Sequence, residues 1–179
     1  MTIASIMGCA SPTNKRKKND AYATPATCTR ALARVEAIHW PKKIWEPCAG
    51  RGDLSAVLRD KGFAPIETDL AQRVDFLKTT QARASAIVTN PPYRHATEFI
   101  MHAHELGITY HAWLLKADFL NAKRAVRLID EIGYPIRIWA LTERPDFLGQ
   151  GAPTMNCSWY VWSNRHNYAS FRLLSITGE

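Results

Sequence analysis

Asn90, Pro91, Pro92 and Tyr93 place an amide, two proline carbonyls and a phenol ring in one short run. An aromatic exocyclic amine is a weak nucleophile because its lone pair is delocalised into the ring. Two acceptors set against its two N–H bonds, the Asn90 side-chain oxygen and the Pro91 carbonyl, localise that lone pair toward an attacking direction. Tyr93 can stack on the ring face, a contact worth roughly 1–3 kcal/mol per base. The chemistry expected of this set is group transfer to a planar amine. The plainer alternative is a strand-ending turn with an exposed Tyr.

A second set lies upstream, Glu46-Pro47-Cys48-Ala49-Gly50-Arg51-Gly52. Gly50 and Gly52 let a backbone approach a ligand closely, and the helix expected to follow offers free N–H groups. The third glycine of a pyrophosphate fingerprint falls at Leu54 or Ser55 and is missing. Glu46 would repel a pyrophosphate and suit a cation. The turn therefore points to a positively charged cofactor that carries an amino acid. Asp69 is placed to accept from ribose hydroxyls, or else to serve as a loop acid or helix cap. Asp75 and Phe76 offer an acceptor and a ring face to adenine, or else form a surface acid beside a core Phe.

These residues need strands behind them. Ile87, Val88 and Thr89 read as the end of a buried strand, Ala86–Thr89. Pro91 lacks an N–H and pushes Asn90 out of the helical region, so the ladder stops there. Lys43–Pro47 is a strand entering the glycine turn, and Ala64–Leu70 is a strand ending in Asp69. His111–Lys116, Pro135–Leu141 and Cys157–Trp162 complete the strands. Helices are expected at Ala26–Ile38, with Leu32, Val35 and Ile38 inward, and at Asp53–Lys61, Ala96–Leu106 and Asn121–Ile132. Thr24 followed by Pro25 is a start signal for the first. The alternation predicts an α/β fold, a mostly parallel sheet with helices on both faces. Trp45, Trp139, Trp159 and Trp162 are expected in its core.

The chain has 179 residues, enough for one domain with a real core. Hydrophobic residues at 46% and charged residues at 22% exclude a disordered chain. No apolar run is long enough for a membrane helix. At the amino end the basic cluster follows the mildly apolar stretch, the reverse of a signal peptide, so a cytoplasmic location is expected. The four cysteines show no metal-ligand spacing, and no metal is expected. Net charge is +7. Setting Lys15, Arg16, Lys17 and Lys18 aside leaves 19 of the 23 basic residues against 16 acidic ones, a mildly basic body. Residues 1–19 read as a basic tail, for solubility or for phosphate contact, ahead of one domain over 20–179.

The motifs also carry a resemblance. EPCAGRG resembles the S-adenosylmethionine-binding motif of class I methyltransferases, and NPPY resembles the catalytic motif of N6-adenine DNA methyltransferases. DAYATP is similar to a Tyr-x-Thr-Pro segment that contacts the cofactor in some of them. The order, cofactor motif first, matches the gamma-like arrangement, and at this size the chain looks most like phage and prophage versions. The resemblance implies a single Rossmann-like domain of about seven strands, the last antiparallel. It implies S-adenosyl-L-methionine as cofactor, with Tyr22, Thr24 and Pro25 flanking the methionine. Glu46, Pro47, Ala49, Gly50 and Gly52 would line the pocket, Asp69 would hold the ribose, and Asp75 and Phe76 the adenine. Asn90, bordering both cofactor and substrate, would act with Pro91, Pro92 and Tyr93 at the reacting amine. DNA is the favoured substrate over RNA.

Two departures stand out. Cys48 occupies a position where many relatives carry Phe. There is also no room for a separate target-recognition region; the one candidate is Thr142–Asn156, with Arg144 and Phe147. Sequence preference is therefore expected to be short, loose or borrowed from a partner subunit. Competing readings are methylation of RNA adenine or a protein glutamine amide, and a non-catalytic cofactor- or nucleic-acid-binding subunit. A nicotinamide dehydrogenase is disfavoured by the missing glycine.

Overall fold

Ala86–Thr89 is a strand buried along its whole length, and the sheet is built outward from it. The structure is a computed structural model that describes residues 23–151, 153–164 and 169–177; the tail and Tyr22 lie outside them. Among the described residues seven strands are present: β1 Lys43–Glu46, β2 Ala64–Glu67, β3 Ala86–Thr89, β4 Tyr110–Lys116, β5 Arg137–Leu141, β6 Cys157–Ser163 and β7 Ser170–Leu174. The helices are α1 Ala26–Glu36, α2 Asp53–Asp60, α3 Ala96–Glu105 and α4 Lys123–Ile132.

The strands lie in the order β2-β1-β3-β4-β6-β5-β7. All neighbours are parallel except β6, which runs antiparallel to both β4 and β5. The antiparallel strand is thus the sixth and not the last. The final strand, β7, adds to the margin parallel to β5. Sequence periodicity missed it because Phe171 (67% exposed) and Leu173 (70%) lie open at an edge, with little burial to read.

Strand alternation sorts the core into two layers. Ala112 and Leu114 of β4 join Leu32 of α1 and Leu54 and Leu58 of α2 on one face. Trp113 and Leu115 join Phe99 and Ile100 of α3 and Leu128 of α4 on the other. Helices therefore cover both faces, as expected. Trp45, Trp139, Trp159 and Trp162 are all buried. No helix among the described residues is long and apolar enough to cross a membrane.

The end of α1 departs from its pattern. Ile38 is 88% exposed, because Ala37–His39 tightens into a 3-10 turn that rotates it outward. The inward place is taken by Glu36, which has no exposed surface. Its carboxylate accepts from Arg137 Nε (2.5 Å) and Nη2 (2.8 Å), from Tyr110 Oη (3.0 Å) and from Trp139 Nε1 (2.7 Å). A buried charge held this way ties α1 to β4 and β5. Further on, α4 starts at Lys123, because Phe119–Asn121 forms its own 3-10 turn and Ala122 is extended.

Candidate active site

β1 sits between β2 and β3, so the chain leaves it to one side for β2 and crosses to the other for β3. Such a reversal opens a crevice at the carboxyl ends of the strands, where ligands of open α/β sheets bind. Trp45 of β1 pairs with Ile87 of β3, which sets the glycine turn after β1 beside the Asn90 turn after β3. The two motifs share one rim.

The glycine turn is rigidly stitched. Gly50 (φ 53°) and Gly52 (φ 83°) both occupy the left-handed region that glycine tolerates. Gly52 N–H donates to Ala49 O (2.7 Å), and Gly52 precedes the first residue of α2. A Cβ on Gly52 would lie 3.3 Å from Glu67 Oε1. The turn is tied to the exit of β2 by Ala49 N–H to Thr68 O (3.1 Å) and Trp45 Nε1 to Thr68 Oγ1 (2.8 Å).

Asp69 lies at that exit. Its Oδ2 accepts from Gly50 N–H (2.9 Å) and its Oδ1 from Ala71 N–H (2.7 Å), capping a 3-10 turn at Leu70–Gln72. The cap reading is realised, yet each carboxylate oxygen keeps capacity for a further donor. Glu46 is 2% exposed and accepts from the Ser55 hydroxyl. Burial pushes its pKa up to about 8, with Ser55 opposing and Glu67 adding to the rise. Pro47 and Ala49 are buried beside it. Cys48 lies near Thr89 and Asp69, and burial raises its thiol well above the usual range.

At the end of β3, Asn90 turns its Oδ1 into the protein, where it is shut off from solvent and meets no donor. An unmet buried acceptor costs about 1–3 kcal/mol. Pro91 is buried. The Pro92 carbonyl accepts from His95 N–H (2.9 Å), whereas no backbone hydrogen bond among the described residues ends on the Pro91 carbonyl. Tyr93 is half-buried, and its hydroxyl lies 3.8 Å from Cys157 Sγ at the start of β6. The sequence held no signal for Cys157 as a neighbour of Tyr93; β6 brings it there by pairing with Lys116 of β4.

Thr24 and Pro25 reach the same region. They line a cleft of about 450 Å³ with Arg51 of the glycine turn, Val57 of α2, and Phe147 and Leu148. Pro25 stands just before α1, and no side chain caps that helix, so Thr24 is not its cap. Asp75 caps a 3-10 turn at Phe76–Lys78 through Leu77 N–H (3.1 Å). Of the two readings of Phe76 the core one fits: it is 2% exposed, its ring enclosed by Trp45, Phe99 and His102 at about 5 Å. An enclosed ring presents no open face to adenine. Within Thr142–Asn156, Asp146 accepts from the N–H groups of Leu148, Gly149 and Gly151, closing the loop on itself. Phe147 is likewise part of a wall, packed against the α1 layer.

No family model matches the sequence, and no curated protein matches it. Solved structures do. One is the methyltransferase subunit of a type I restriction–modification system from Streptococcus thermophilus, at TM-score 0.63 and 10% identity over 87% of this chain. The chain spans 47% of that subunit. A Listeria monocytogenes protein assigned to the class I S-adenosylmethionine-dependent methyltransferases aligns at 0.60 and 12% identity, covering 98% of this chain and 71% of its own. A predicted O-methyltransferase from Agrobacterium tumefaciens aligns at 0.52 and 15% identity, covering 83% and 85%. In strand order, helix placement and these likenesses, the chain has the Rossmann-like class I methyltransferase fold.

Proposed function

We propose that this chain transfers the methyl group of S-adenosyl-L-methionine to the exocyclic N6 amine of adenine in DNA. The observation that carries the reading is the orphaned Asn90 oxygen, standing after β3 next to the glycine turn after β1. The donor set suits a cationic cofactor: Glu46 and Asp69 flank a turn in which Gly50 leaves open space where a side chain would stand. When bound, the cofactor supplies a sulfonium methyl that is already activated, so no strong general base is required.

The chain's own part is to bind and orient. Glu46 gives a counter-charge to the cofactor's cationic end, and Asp69 accepts from ribose hydroxyls while holding Gly50. Asp75 is the adenine acceptor of the pair expected from sequence, and Thr24 and Pro25 bound the methionine side. Rotation of the Asn90 amide about its last, soft torsion brings its oxygen to the open side of the crevice. There it and the Pro91 carbonyl take the two N–H bonds of the amine. Pro92 stiffens the turn, and Tyr93 offers its ring to the base. Oriented acceptors and positioning carry the rate. Extrusion of a base from duplex costs a few kcal/mol, which Tyr93 stacking offsets in part.

DNA is favoured because a structural neighbour is the methyltransferase subunit of a restriction–modification system. That neighbour is itself a subunit, which supports a partner for target recognition here. The test is expression in a methylation-free host, sequencing of its DNA for modified adenine, and tritiated-methyl transfer to separated DNA, RNA and protein. Label in DNA at adenine N6 is expected. Label confined to RNA or protein overturns the substrate, and cofactor binding without transfer to any fraction overturns the activity.

A further inference from the structure

Beside Tyr93 the rim carries two cations that the candidate site does not use. Lys116 is the last residue of β4 and is exposed; Arg144 is exposed in the loop after β5. Asn156 joins them. Its carbonyl accepts from Ala117 N–H (3.0 Å), and its side-chain oxygen accepts from Arg144 Nε (3.0 Å). The next residue, Cys157, pairs with Lys116 and touches the Tyr93 hydroxyl. Tyr160 Oη donates to the carbonyls of Lys116 (3.2 Å) and Ala117 (2.8 Å), so the strand exit is held firmly.

The nearby acids are mostly engaged. Glu143 accepts from Ser175, Ile176 and Thr177, and Asp146 is filled by its own loop. Asp118 is the exception: it is exposed and shares the Cys157 surroundings with Lys116. Among the described residues Arg144 bonds only Asn156, through Nε, which leaves the two terminal nitrogens of its planar fork, a shape that matches phosphate oxygens.

We propose that Lys116 and Arg144 hold backbone phosphates of the substrate strand on either side of the nucleotide that faces Tyr93. This rests on the reading of the substrate as nucleic acid and goes further, by naming the grip and the side of the rim over which the strand passes. Both contacts are independent of base identity, so they add affinity without sequence preference.

The probe is a fluorescent single-stranded oligodeoxynucleotide containing adenine, titrated by anisotropy between 50 and 200 mM salt. Lys116→Ala and Arg144→Ala should each lower the slope of log affinity against log salt by about 0.7, and the double variant by about 1.4. For the double variant, the loss of affinity across that salt range should be about sevenfold smaller than for wild type. Arg144→Lys should restore the slope, which separates charge from loop packing. Asp118→Asn should tighten binding, and Lys43→Ala, at the far end of β1, should change nothing. An unchanged slope in the double variant, an equal change in Lys43→Ala, or absence of salt-dependent binding overturns the proposal. Because binding is read without methyl transfer, these outcomes stand apart from failure of the catalytic reading. A chain that grips the strand through these residues and methylates nothing keeps this inference and loses the other.

Discussion

Replacing Glu46 by Gln tests the electrostatics of the cofactor turn in two independent ways. The side chain is 2% exposed and its pKa is raised from 4.5 to about 8. A carboxyl with a raised folded-state pKa contributes stability that is fully present below 4.5 and is lost as pH climbs through 8. The loss amounts to about 1.4 kcal/mol per pH unit, or on the order of 5 kcal/mol over the window. Gln keeps the shape and can still bond Ser55 but cannot ionise. Urea melts at pH 5.5, 7 and 8.5 should show wild type losing stability relative to Glu46→Gln with rising pH. The second readout is affinity for S-adenosylmethionine. A cationic ligand needs Glu46 ionised, so below pH 8 wild-type affinity should fall about tenfold per pH unit relative to the variant. Using the ratio removes the ligand's own amino titration. Calorimetry in buffers of different ionisation heat should find a proton released on binding to wild type alone. A ratio that stays flat from pH 6 to 8.5 refutes the counter-charge, and parallel melts refute the burial argument.

Loss of the Asn90 amide in Asn90→Ala should lower methyl transfer roughly 10²–10³-fold, by analogy with loss of one oriented polar group, as read by tritiated-methyl incorporation. Gly52→Ala meets both a left-handed backbone and Glu67 Oε1 at 3.3 Å, and should cost about 1–2 kcal/mol in urea unfolding. Glu36→Ala removes the buried carboxylate that Arg137, Tyr110 and Trp139 share and should cost about 3–5 kcal/mol in the same measurement; replacing Glu36 and Arg137 together with apolar residues should recover much of it.

The layout of the sheet was largely legible because its cues are local. Apolar runs bounded by glycine and proline marked β1, β3, β4, β5 and β6, and periodic apolar residues marked the four helices. Pro91 alone was enough to end β3 at Thr89. What stayed hidden depended on distant partners. The place of Glu36 in the core rests on Arg137, 101 residues away, which supplies its counter-charge. For Phe76 an open ring face and a core place stood side by side, because nothing nearby in sequence shows that Trp45 and Phe99 enclose it.

By itself, the sequence determined that a glycine turn free to take positive φ follows one strand, and that Asn90-Pro91-Pro92-Tyr93, confined by its prolines, follows another. Those are properties of φ and ψ, and they are settled within a few residues. Only the tertiary structure decided that β1 and β3 are neighbours, so that the two turns share a rim. It alone set Cys157 against Tyr93 and tied Arg144 through Asn156 to Ala117, the residue after Lys116. Strand pairing is chosen by burial summed over the whole sheet, and that sum has no value until every strand has found its place.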